Sequence, residues 1–248
     1  MITRFFAKTE ALAEKLNLDY VSSLDVLHGL DQPAAIFDMD DQHLVLHVLL
    51  DNKPNQLGFD FTDGEITKRA NQVSKSNEVI AKAIGCKSHY RPNVLDATAG
   101  MGRDSFMMAR LGCNVIMQER NFAIYHLLAN ALERLKNSPN SKLFEPDSLV
   151  LKQQDSIQLL TTDKQIDVIY LDPMFPDRKK TALVKKKMRL FKLLTGDDQD
   201  SSKLLTAALH SNVRRVVVKR PKGAPFLSDL RPSHEIKSKN FRYDVYLC

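Results

Sequence analysis

Four acidic residues each follow an apolar run that is typical of a buried strand. They are Asp96 after "NVL", Glu119 after "VIMQ", Asp155 after "LVLKQQ" and Asp172 after "VIYL". Ligands of open parallel sheets bind beyond the carboxyl ends of the strands, where the loops converge. One such acid is commonplace, because turns favour aspartate. Four of them in successive strand and helix units predict one composite binding site.

Two glycines lie just after the first of these acids. Gly100 and Gly102 in "AGMGRD" let the backbone pass close to a ligand and into a helix, where larger side chains would block the approach. A dinucleotide fingerprint needs a third glycine, but Arg103, Asp104 and Ser105 follow instead, which disfavours NAD. A plain turn between a strand and a helix is the alternative interpretation.

Glu119 follows the glycines by slightly less than the roughly twenty residues found between glycines and ribose-binding acid in dinucleotide folds. A carboxylate at this position can accept hydrogen bonds from both hydroxyls of a ribose. The spacing therefore predicts a ligand that contains adenosine. Arg120, the next residue, either contacts this ligand or pairs with a neighbouring acid, and the sequence favours neither option.

The segment "DPMF" provides acceptors and an aromatic ring within four residues. The Asp172 carboxylate and the carbonyl beside Pro173 can hold the hydrogens of an aromatic amine, and Phe175 can stack on a base. The segment is similar to the D/N-P-P-Y/F motif of methyltransferases that act on exocyclic amines, from which Met174 departs. We predict catalytic roles for Asp172, Pro173 and Phe175. The alternative is that Phe175 is a core residue and Pro173 only ends a strand.

The chain carries a net charge of +6, and its cations are clustered. No acid occurs between Arg178 and Lys192, nor between Arg214 and Lys222. A charge run is often a solvated helix face, but two runs beside the predicted site favour binding of RNA phosphates, which positions a substrate without reading its bases. The predicted RNA contacts are Arg178, Lys179, Lys180, Lys185, Lys186, Lys187, Arg189, Lys219 and Arg220.

Alternating strand and helix patterns begin near residue 93. They predict an α/β fold over 93–248, with a mostly parallel sheet and an antiparallel pair of strands at its C-terminal edge. Residues 1–65 have a different, β-rich character, with the runs "AAIFDM", "LVLHVLL" and "LGFDF" punctuated by Pro33 and Pro54, and predict a small N-terminal α+β subdomain. Residues 66–92 are predicted to be a helical connection.

Five motifs together resemble the RsmJ family: "LDATAGMGRDSF", "ER", "YLDPMFP", "ALVKKKMR" and "RVVVKRP". The resemblance extends from about Gly58 to the C-terminus. It implies a class I (Rossmann-like) methyltransferase sheet and transfer of methyl from S-adenosylmethionine to the exocyclic amine, N2, of one guanosine. The implied substrate is small-subunit (16S) ribosomal RNA, either free or in the assembled subunit.

The same resemblance implies which residues contact S-adenosylmethionine. Asp155 and Ser156 stand where the family has a pair of small polar residues, and here the first of the pair is an aspartate. The residues carried over by matching motif are Arg103, Asp104, Glu119, Arg120, Asp155, Ser156 and Asp172. Asp96, Gly100 and Gly102 complete the predicted cofactor site.

Other classes of site receive little support from the sequence. Cys86, Cys113 and Cys248 show no metal-binding spacing and the histidines are scattered, so we expect reduced thiols and no metal. No signal peptide or membrane-spanning stretch is evident, so we expect a cytoplasmic protein without a membrane or protein partner. The competing hypotheses are a methyltransferase of DNA adenine or of a small molecule, and a non-catalytic RNA-binding assembly protein.

Overall fold

The computed structural model describes residues 1–62, 78–159, 165–174, 182–196 and 200–248, and for 158–159 and 182–188 it describes the helix without side chains. These residues form two sheets, one of five strands and one of seven. No helix within the described ranges is long and apolar enough to cross a membrane.

The first sheet is built from the N-terminal residues. Its elements in chain order are β1 (Arg4–Ala7), α1 (Glu10–Leu16), β2 (Asp19–Tyr20), β3 (Ala34–Asp40), β4 (His43–Leu50) and β5 (Lys53–Gly58). The strand order is β2-β1-β3-β4-β5, with β1 parallel to both neighbours and β3, β4 and β5 antiparallel in series. Asp51 and Asn52 form the turn between β4 and β5 with positive φ, which these residue types tolerate better than most.

The end of this sheet differs in detail from the sequence pattern. Pro54, predicted to punctuate the segment, lies inside β5 opposite Leu49. A proline is tolerated there because β5 is the last strand in the order of its sheet. The strand-like run "LGFDF" continues past the end of β5, where Phe59 and Phe61 are buried in the core.

The second sheet holds the predicted site. The elements from residue 79 onward are α2 (Val79–Ala83), β6 (Asn93–Asp96), α3 (Arg103–Arg110), β7 (Asn114–Glu119), α4 (Phe122–Lys136), β8 (Leu149–Gln153), α5 (Ser156–Leu159), β9 (Val168–Leu171), α6 (Ala182–Thr195), α7 (Ser201–Leu209), β10 (Arg215–Pro221), β11 (His234–Lys237) and β12 (Phe241–Leu247). The strand order is β11-β12-β10-β9-β6-β7-β8. The predicted α/β class, with a mostly parallel sheet and antiparallel C-terminal strands, is confirmed. β12 runs antiparallel between β10 and β11, so β11 alone forms that edge.

The strand order reverses direction at β6, because β7 and β8 extend to one side of it and β9 and β10 to the other. A crevice forms at such a switch point, because successive connections leave to opposite faces of the sheet. The loops after β6, β7, β8 and β9 therefore surround one opening, which is where the four predicted acids converge.

Helix α4 joins the two sheets. The ring of Phe37 on β3 lies 6.0 Å from that of Phe122 and 6.3 Å from that of His126, both on α4. The side chain of Asn130 accepts a hydrogen bond of 2.9 Å from the backbone N–H of Leu44. One cluster of buried side chains therefore runs through both sheets. The predicted boundary near residue 65 lies outside the described residues, and of the predicted connection over 66–92 the described helix is α2.

Candidate active site

A cavity of about 730 Å³ opens at the carboxyl ends of the parallel strands. Its walls come from the loops after β6, β7, β8 and β9, with α6, α7 and β10 closing the sides. Pockets for small ligands typically fall between about 300 and 1,000 Å³. The predicted residues on these walls are Asp96, Gly100, Arg103, Asp104, Glu119, Arg120, Asp155, Ser156, Asp172 and Pro173.

The two glycines of the loop after β6 have different reasons to be glycine. Gly100 lines the cavity with φ 52°, and a Cβ there would lie 3.3 Å from Cζ of Phe191. Gly102 caps α3 with φ 69°, away from the cavity lining, and a Cβ there would lie 2.8 Å from Cδ1 of Leu128 and 3.0 Å from Cζ of Phe61. Gly102 is therefore required by backbone conformation and packing, and its place in the cofactor site stays a prediction.

Glu119 holds two loops at once. Its Oε2 accepts a hydrogen bond of 3.0 Å from the backbone N–H of Gly100, and its Oε1 accepts one of 2.7 Å from the N–H of Asn121. The residue is 8% exposed, on the cavity wall. A carboxylate offers about four acceptor positions, so a side chain held in this way can still accept hydrogen bonds from ligand hydroxyls.

Asp96 lies beneath the same loop and is 2% exposed. It accepts hydrogen bonds from the backbone N–H of Thr98 at 3.1 Å and from the hydroxyl of Ser105. Burial raises the pKa of Asp96 to about 7, and the nearby carboxylates of Asp104 and Asp172 add to the shift. Its observed bonds stabilise the loop from below, so its contribution to a ligand site is mainly to shape the wall.

The loop after β8 is tied to the loop after β6. The hydroxyl of Ser156 donates a hydrogen bond of 2.7 Å to the carbonyl of Ala97. Arg120 pairs with Asp200 at 2.5 Å and lies 4.0 Å from Asp155. The bond from Arg120 lowers the pKa of Asp200. Of the two options that the sequence left open for Arg120, the pair with an acid is therefore present, on the wall of the cavity.

Asp172 lies at the centre of a polar network. Its backbone N–H donates to the hydroxyl of Thr98 at 2.6 Å, and its carboxylate accepts from the ammonium of Lys219 at 3.0 Å. The same ammonium donates to Asp104 at 2.7 Å, and the hydroxyl of Tyr170 donates to the same Asp104 oxygen at 2.6 Å. One cation thus joins the carboxylate after β9 to the first turn of α3.

Burial and charge shift the pKa values in this network in opposite directions. Burial raises the pKa of Asp172 to about 6, although Lys219 opposes the shift. Burial alone would lower the pKa of Lys219, but the carboxylates of Asp172 and Asp104 raise it above its usual range. Burial also raises the pKa of Tyr170. At neutral pH, Lys219 is therefore charged, Tyr170 is protonated and Asp172 is largely ionised.

Three of the cations predicted to bind RNA have other partners. Lys219 lies within the network just described. Arg220 is 4% exposed, and its guanidinium donates to the carbonyl of Pro225 at 3.0 Å. Arg189 forms two hydrogen bonds with Asp51, at 2.6 and 2.9 Å. In this structure all three side chains are bound to other groups of the protein, and their predicted phosphate contacts stay predictions.

The remaining predicted RNA contacts and one catalytic residue cannot be compared with the structure. Phe175, Arg178, Lys179 and Lys180 lie outside the described residues, as do the side chains of residues 185–187. Their predicted roles stay predictions. Pro173 and Met174 are described, and both line the cavity, with Met174 also packed against the core.

The cavity contains residues that the sequence patterns did not reveal: Thr98, Tyr170, Phe191 and Asp200. Tyr170 had a usable signal, because it lies two residues before Asp172 and side chains alternate along a strand. Thr98 lies between two predicted residues. Phe191 and Asp200 have no local signal, since helix packing brings them to the site. No group of three or more His, Cys, Asp or Glu suited to a metal was found in the described part of the chain.

The chain is similar to methyltransferases along nearly its whole length. A family profile described as "Putative SAM-dependent methyltransferase" matches residues 19–248. "Ribosomal RNA small subunit methyltransferase J" of Thioalkalivibrio sulfidiphilus is 42% identical over 242 residues, which cover 97% of this chain and 92% of that protein. The protein with the same description from Pseudoalteromonas atlantica is 41% identical over 247 residues, with 97% and 92% coverage.

A solved structure agrees with these similarities. The crystal structure of the SAM-dependent methyltransferase NGO1261 from Neisseria gonorrhoeae superposes with a TM-score of 0.72 at 29% identity, covering 99% of this chain and 96% of that one. The fold and the cavity thus define a class I methyltransferase that uses S-adenosylmethionine. Within that class, the chain belongs to the ribosomal RNA small subunit methyltransferase J (RsmJ) family, as the sequence motifs predicted.

The cavity fits S-adenosylmethionine on features of its own. Gly100 has no side chain, so it leaves space in the cavity where a Cβ would approach Phe191. The carboxylate of Glu119 is suited to ribose hydroxyls. Gln118, 3% exposed, lines the same cavity, and its Oε1 is a buried acceptor without a partner among the described residues. A ligand with hydroxyl and amine donors would satisfy such acceptors.

Proposed function

We propose that this protein transfers the methyl group of S-adenosylmethionine to the exocyclic amine, N2, of one guanosine in small-subunit ribosomal RNA. The descriptions of the relatives, which match over most of their length, support this RNA as the substrate. The net charge of +6 suits a polyanionic partner. A cytoplasmic location, where the small ribosomal subunit is assembled, goes with the proposal.

The observation that carries the proposal is the position of Asp172. Its carboxylate lines the same cavity as Gly100 and Glu119. Its backbone is held by Thr98, and Pro173 restricts the chain immediately after it. An amine that donates a hydrogen bond to Asp172 would therefore meet a fixed acceptor beside the cofactor site.

S-adenosylmethionine supplies, when bound, an electrophilic methyl group on a positively charged sulfur. The lone pair of a guanine amine is delocalised into the ring and must be turned towards that methyl group. Asp172 and the neighbouring backbone carbonyl can hold the amine hydrogens in the required orientation. Positioning of this kind can lower a barrier by several kcal/mol, up to about 7–11 kcal/mol in ideal systems.

The proton balance needs no dedicated base. A nitrogen–carbon bond forms as the carbon–sulfur bond breaks, which leaves the nitrogen positively charged until it loses one proton. Water or the Asp172 carboxylate can accept that proton. Phe175 is proposed to stack on the guanine, a contact worth about 1–3 kcal/mol per base, and the lysine-rich segment from Arg178 onward to hold the RNA backbone.

The test offers several acceptors to the protein in parallel. Labelled S-adenosylmethionine is incubated with small ribosomal subunits, naked small-subunit RNA, transfer RNA and DNA, and the products are digested to nucleosides. We expect label in N2-methylguanosine from the first or second substrate. Comparison of these two substrates reports whether the free RNA or the assembled subunit is preferred. An Asp172→Ala variant should remain folded, as measured by thermal melting, and lose transfer.

The other outcomes distinguish the competing functions. Label found only in DNA adenine or in a small molecule would replace the substrate. Binding of RNA without transfer under any of these conditions would indicate a non-catalytic assembly protein. Label in a ribosomal RNA base other than guanine would retain the enzyme class and contradict the proposed atom.

A further inference from the structure

Lys219 occupies a place that a lysine holding RNA phosphates would not. Its side chain is 24% exposed, and its ammonium donates to Asp104 at 2.7 Å and to Asp172 at 3.0 Å. It reaches the cavity from the end of β10, opposite the buried Tyr243 of the antiparallel strand β12. Two of its three N–H donors are therefore directed into the site rather than towards solvent.

The surroundings fix this ammonium from several sides. The ring of Phe241 lies 5.4 Å from Nζ, a distance at which an aromatic face attracts a cation. The ring of Tyr243 lies 5.3 Å from that of Phe241 and 6.2 Å from that of Tyr170. Since Tyr170 also donates to Asp104, the cation and its first carboxylate are both held in one orientation.

The carboxylates depend on this cation. The carboxylates of Asp104 and Asp172 raise the pKa of Asp96, and that of Asp104 raises the pKa of Asp172. Among the described residues, Lys219 is the cation that donates hydrogen bonds to these carboxylates, namely to Asp104 and Asp172. Without it, the like charges would favour a protonated Asp172 at neutral pH, and a protonated carboxyl is a poorer acceptor for an amine.

We propose that Lys219 is a positioning residue, which keeps the Asp172 carboxylate ionised and turned towards the target amine and couples it through Asp104 to the cofactor-binding loop. The inference rests on the proposed function, because it assigns Asp172 the role of acceptor for the amine. It differs from the sequence-based prediction, in which Lys219 binds RNA phosphate. The two roles predict different kinetics.

The expected pH dependence follows from the groups that face Asp172. These are Lys219 from β10, Asp104 from α3, Asp96 from β6, Tyr170 from β9 and Tyr243 from β12. The tyrosines are neutral at the pH values of interest, because burial raises the pKa of both. Removal of the lysine thus removes the single positive charge among these groups and leaves the acids.

The experiment compares pH profiles of kcat/KM for small-subunit RNA. Wild-type protein should gain activity through an acid limb near the pKa of Asp172, which is about 6. In Lys219→Met this limb should move up by about 1–3 pH units. Activity at pH 7 should then fall by about 2-fold for a shift of one unit and by about 100-fold for a shift of three, and should recover above pH 9. Lys219→Arg, which retains the charge, should keep the limb near its original pH.

Lys222→Met is the matched control, because Lys222 is exposed just beyond the end of β10. It removes the same charge outside the network and should leave the limb unmoved. Thermal melting of each variant verifies folding, and Lys219→Arg keeps the test valid if Lys219→Met does not fold. In that case, an acid limb that moves in Lys219→Arg by as much as one unit would overturn the inference.

Two further results separate the inference from its premises. A Lys219→Met profile with the limb in place and a raised, salt-dependent KM for RNA would overturn the inference in favour of a phosphate contact. Wild-type protein that binds S-adenosylmethionine but methylates no small-subunit RNA would overturn the proposed function, and the inference with it. An active wild type with an unshifted variant overturns the inference alone.

Discussion

The carboxylate of Glu119 and the backbone amide of Gly100 lie 3.0 Å apart, and their hydrogen bond joins the end of β7 to the loop after β6. These residues are separated by 19 positions in the sequence, and each lines the cavity. The loop that approaches the ligand is thus held by the same side chain that is suited to its ribose. Loss of that carboxylate should affect both the wall and the ligand contact.

Replacement of Glu119 by Gln should weaken S-adenosylmethionine binding by about 10- to 100-fold. A hydrogen bond to a charged group contributes about 1.5–3 kcal/mol, and about 1.4 kcal/mol corresponds to a factor of ten. The amide also turns an N–H group towards one of the two backbone donors. Isothermal titration calorimetry measures the effect, with Glu133→Gln on the exposed face of α4 as control. Equal affinities for the two variants would contradict the assigned role.

Gly102→Ala should destabilise the protein by about 2–4 kcal/mol. The positive φ costs a side chain about 1–2 kcal/mol, and overpacking against Leu128 and Phe61 costs a similar amount. Urea unfolding measures the change. Gly29→Ala is the matched control, because its φ is not positive and, apart from its chain neighbours, no heavy atom of the described residues lies within 4 Å of the new Cβ. A Gly102 variant as stable as the Gly29 variant would show that Leu128 and Phe61 can move aside without a cost in stability.

The sequence predicted the second sheet and the strand ends at which the cavity opens, because both depend on local signals. Apolar runs predict the strands, and the acid or glycine after each run marks its carboxyl end. The number of cations in a run does not show which face of a strand each of them takes. Lys219 and Arg220 are adjacent in one cationic cluster, yet alternation along β10 sends Lys219 into the cavity and Arg220 towards Pro225. The cluster in the sequence indicated positive charge, but not the direction in which each side chain points.

The ion pair between Arg189 and Asp51 shows a second limit of the sequence. The partners are 138 residues apart and meet because Arg189 of α6 lies beside the turn between β4 and β5. No spacing rule connects them. Residues that depend on contacts between distant elements, such as Phe191 beside Gly100, were likewise missed.

The raised pKa of Asp96 predicts that the folded protein loses stability as pH rises. Its pKa is raised from 3.8 to about 7 in the folded protein, so the folded state binds the proton more tightly than the unfolded state. Stability is therefore greatest below the unfolded pKa and declines until the pH passes the folded pKa. With about 1.4 kcal/mol per pKa unit, the decline reaches up to about 4 kcal/mol.

Asp96→Asn tests that assignment, since asparagine resembles the protonated acid in shape. Urea unfolding between about pH 4 and about pH 8 should give a flatter profile for the variant than for the wild type. Asp172 titrates in the same direction and is present in both proteins, so the difference reports Asp96. Parallel profiles would show that the pKa of Asp96 is not raised in the folded state.

Asp51→Asn should strengthen RNA binding, if the protein binds RNA as proposed. The substitution releases the guanidinium of Arg189, which is paired with Asp51 on the surface. One additional phosphate contact would steepen the dependence of log affinity on log salt by about 1. Filter binding at several salt concentrations measures the slope. Asp41→Asn is the control, because Asp41 occupies the preceding turn with nearly the same φ, 55° against 54°.

Arg189→Gln should leave that slope almost unchanged, because Asp51 already neutralises the charge. A slope reduced by about 1 in Arg189→Gln would instead show that the ion pair opens on RNA. The sequence-based prediction of a phosphate contact at Arg189 would then stand, and the surface pair would be a feature of the free protein.

Asp244→Ala should destabilise the protein by about 3–5 kcal/mol, because it leaves the buried guanidinium of Arg242 with Glu235, at 3.8 Å, as its nearest described acid. Asp244 is 0% exposed and accepts from Arg242 at 2.7 and 3.1 Å. Arg242 also donates to the carbonyl of Ala224 at 2.8 Å, so the pair anchors the segment that follows β10. Urea unfolding measures the cost, with the exposed Asp229→Ala as control.

A double variant separates the contribution of the ion pair to stability from that of the hydrogen bonds between Arg242 and the backbone. Replacing a complete buried ion pair by apolar side chains is often neutral or stabilising, whereas removing one partner is not. Arg242→Met combined with Asp244→Leu should therefore recover much of the stability lost in Asp244→Ala. If the double variant is as unstable as the single one, the hydrogen bonds from Arg242 to the backbone carbonyls stabilise this segment more than the pair does, because the methionine cannot replace them.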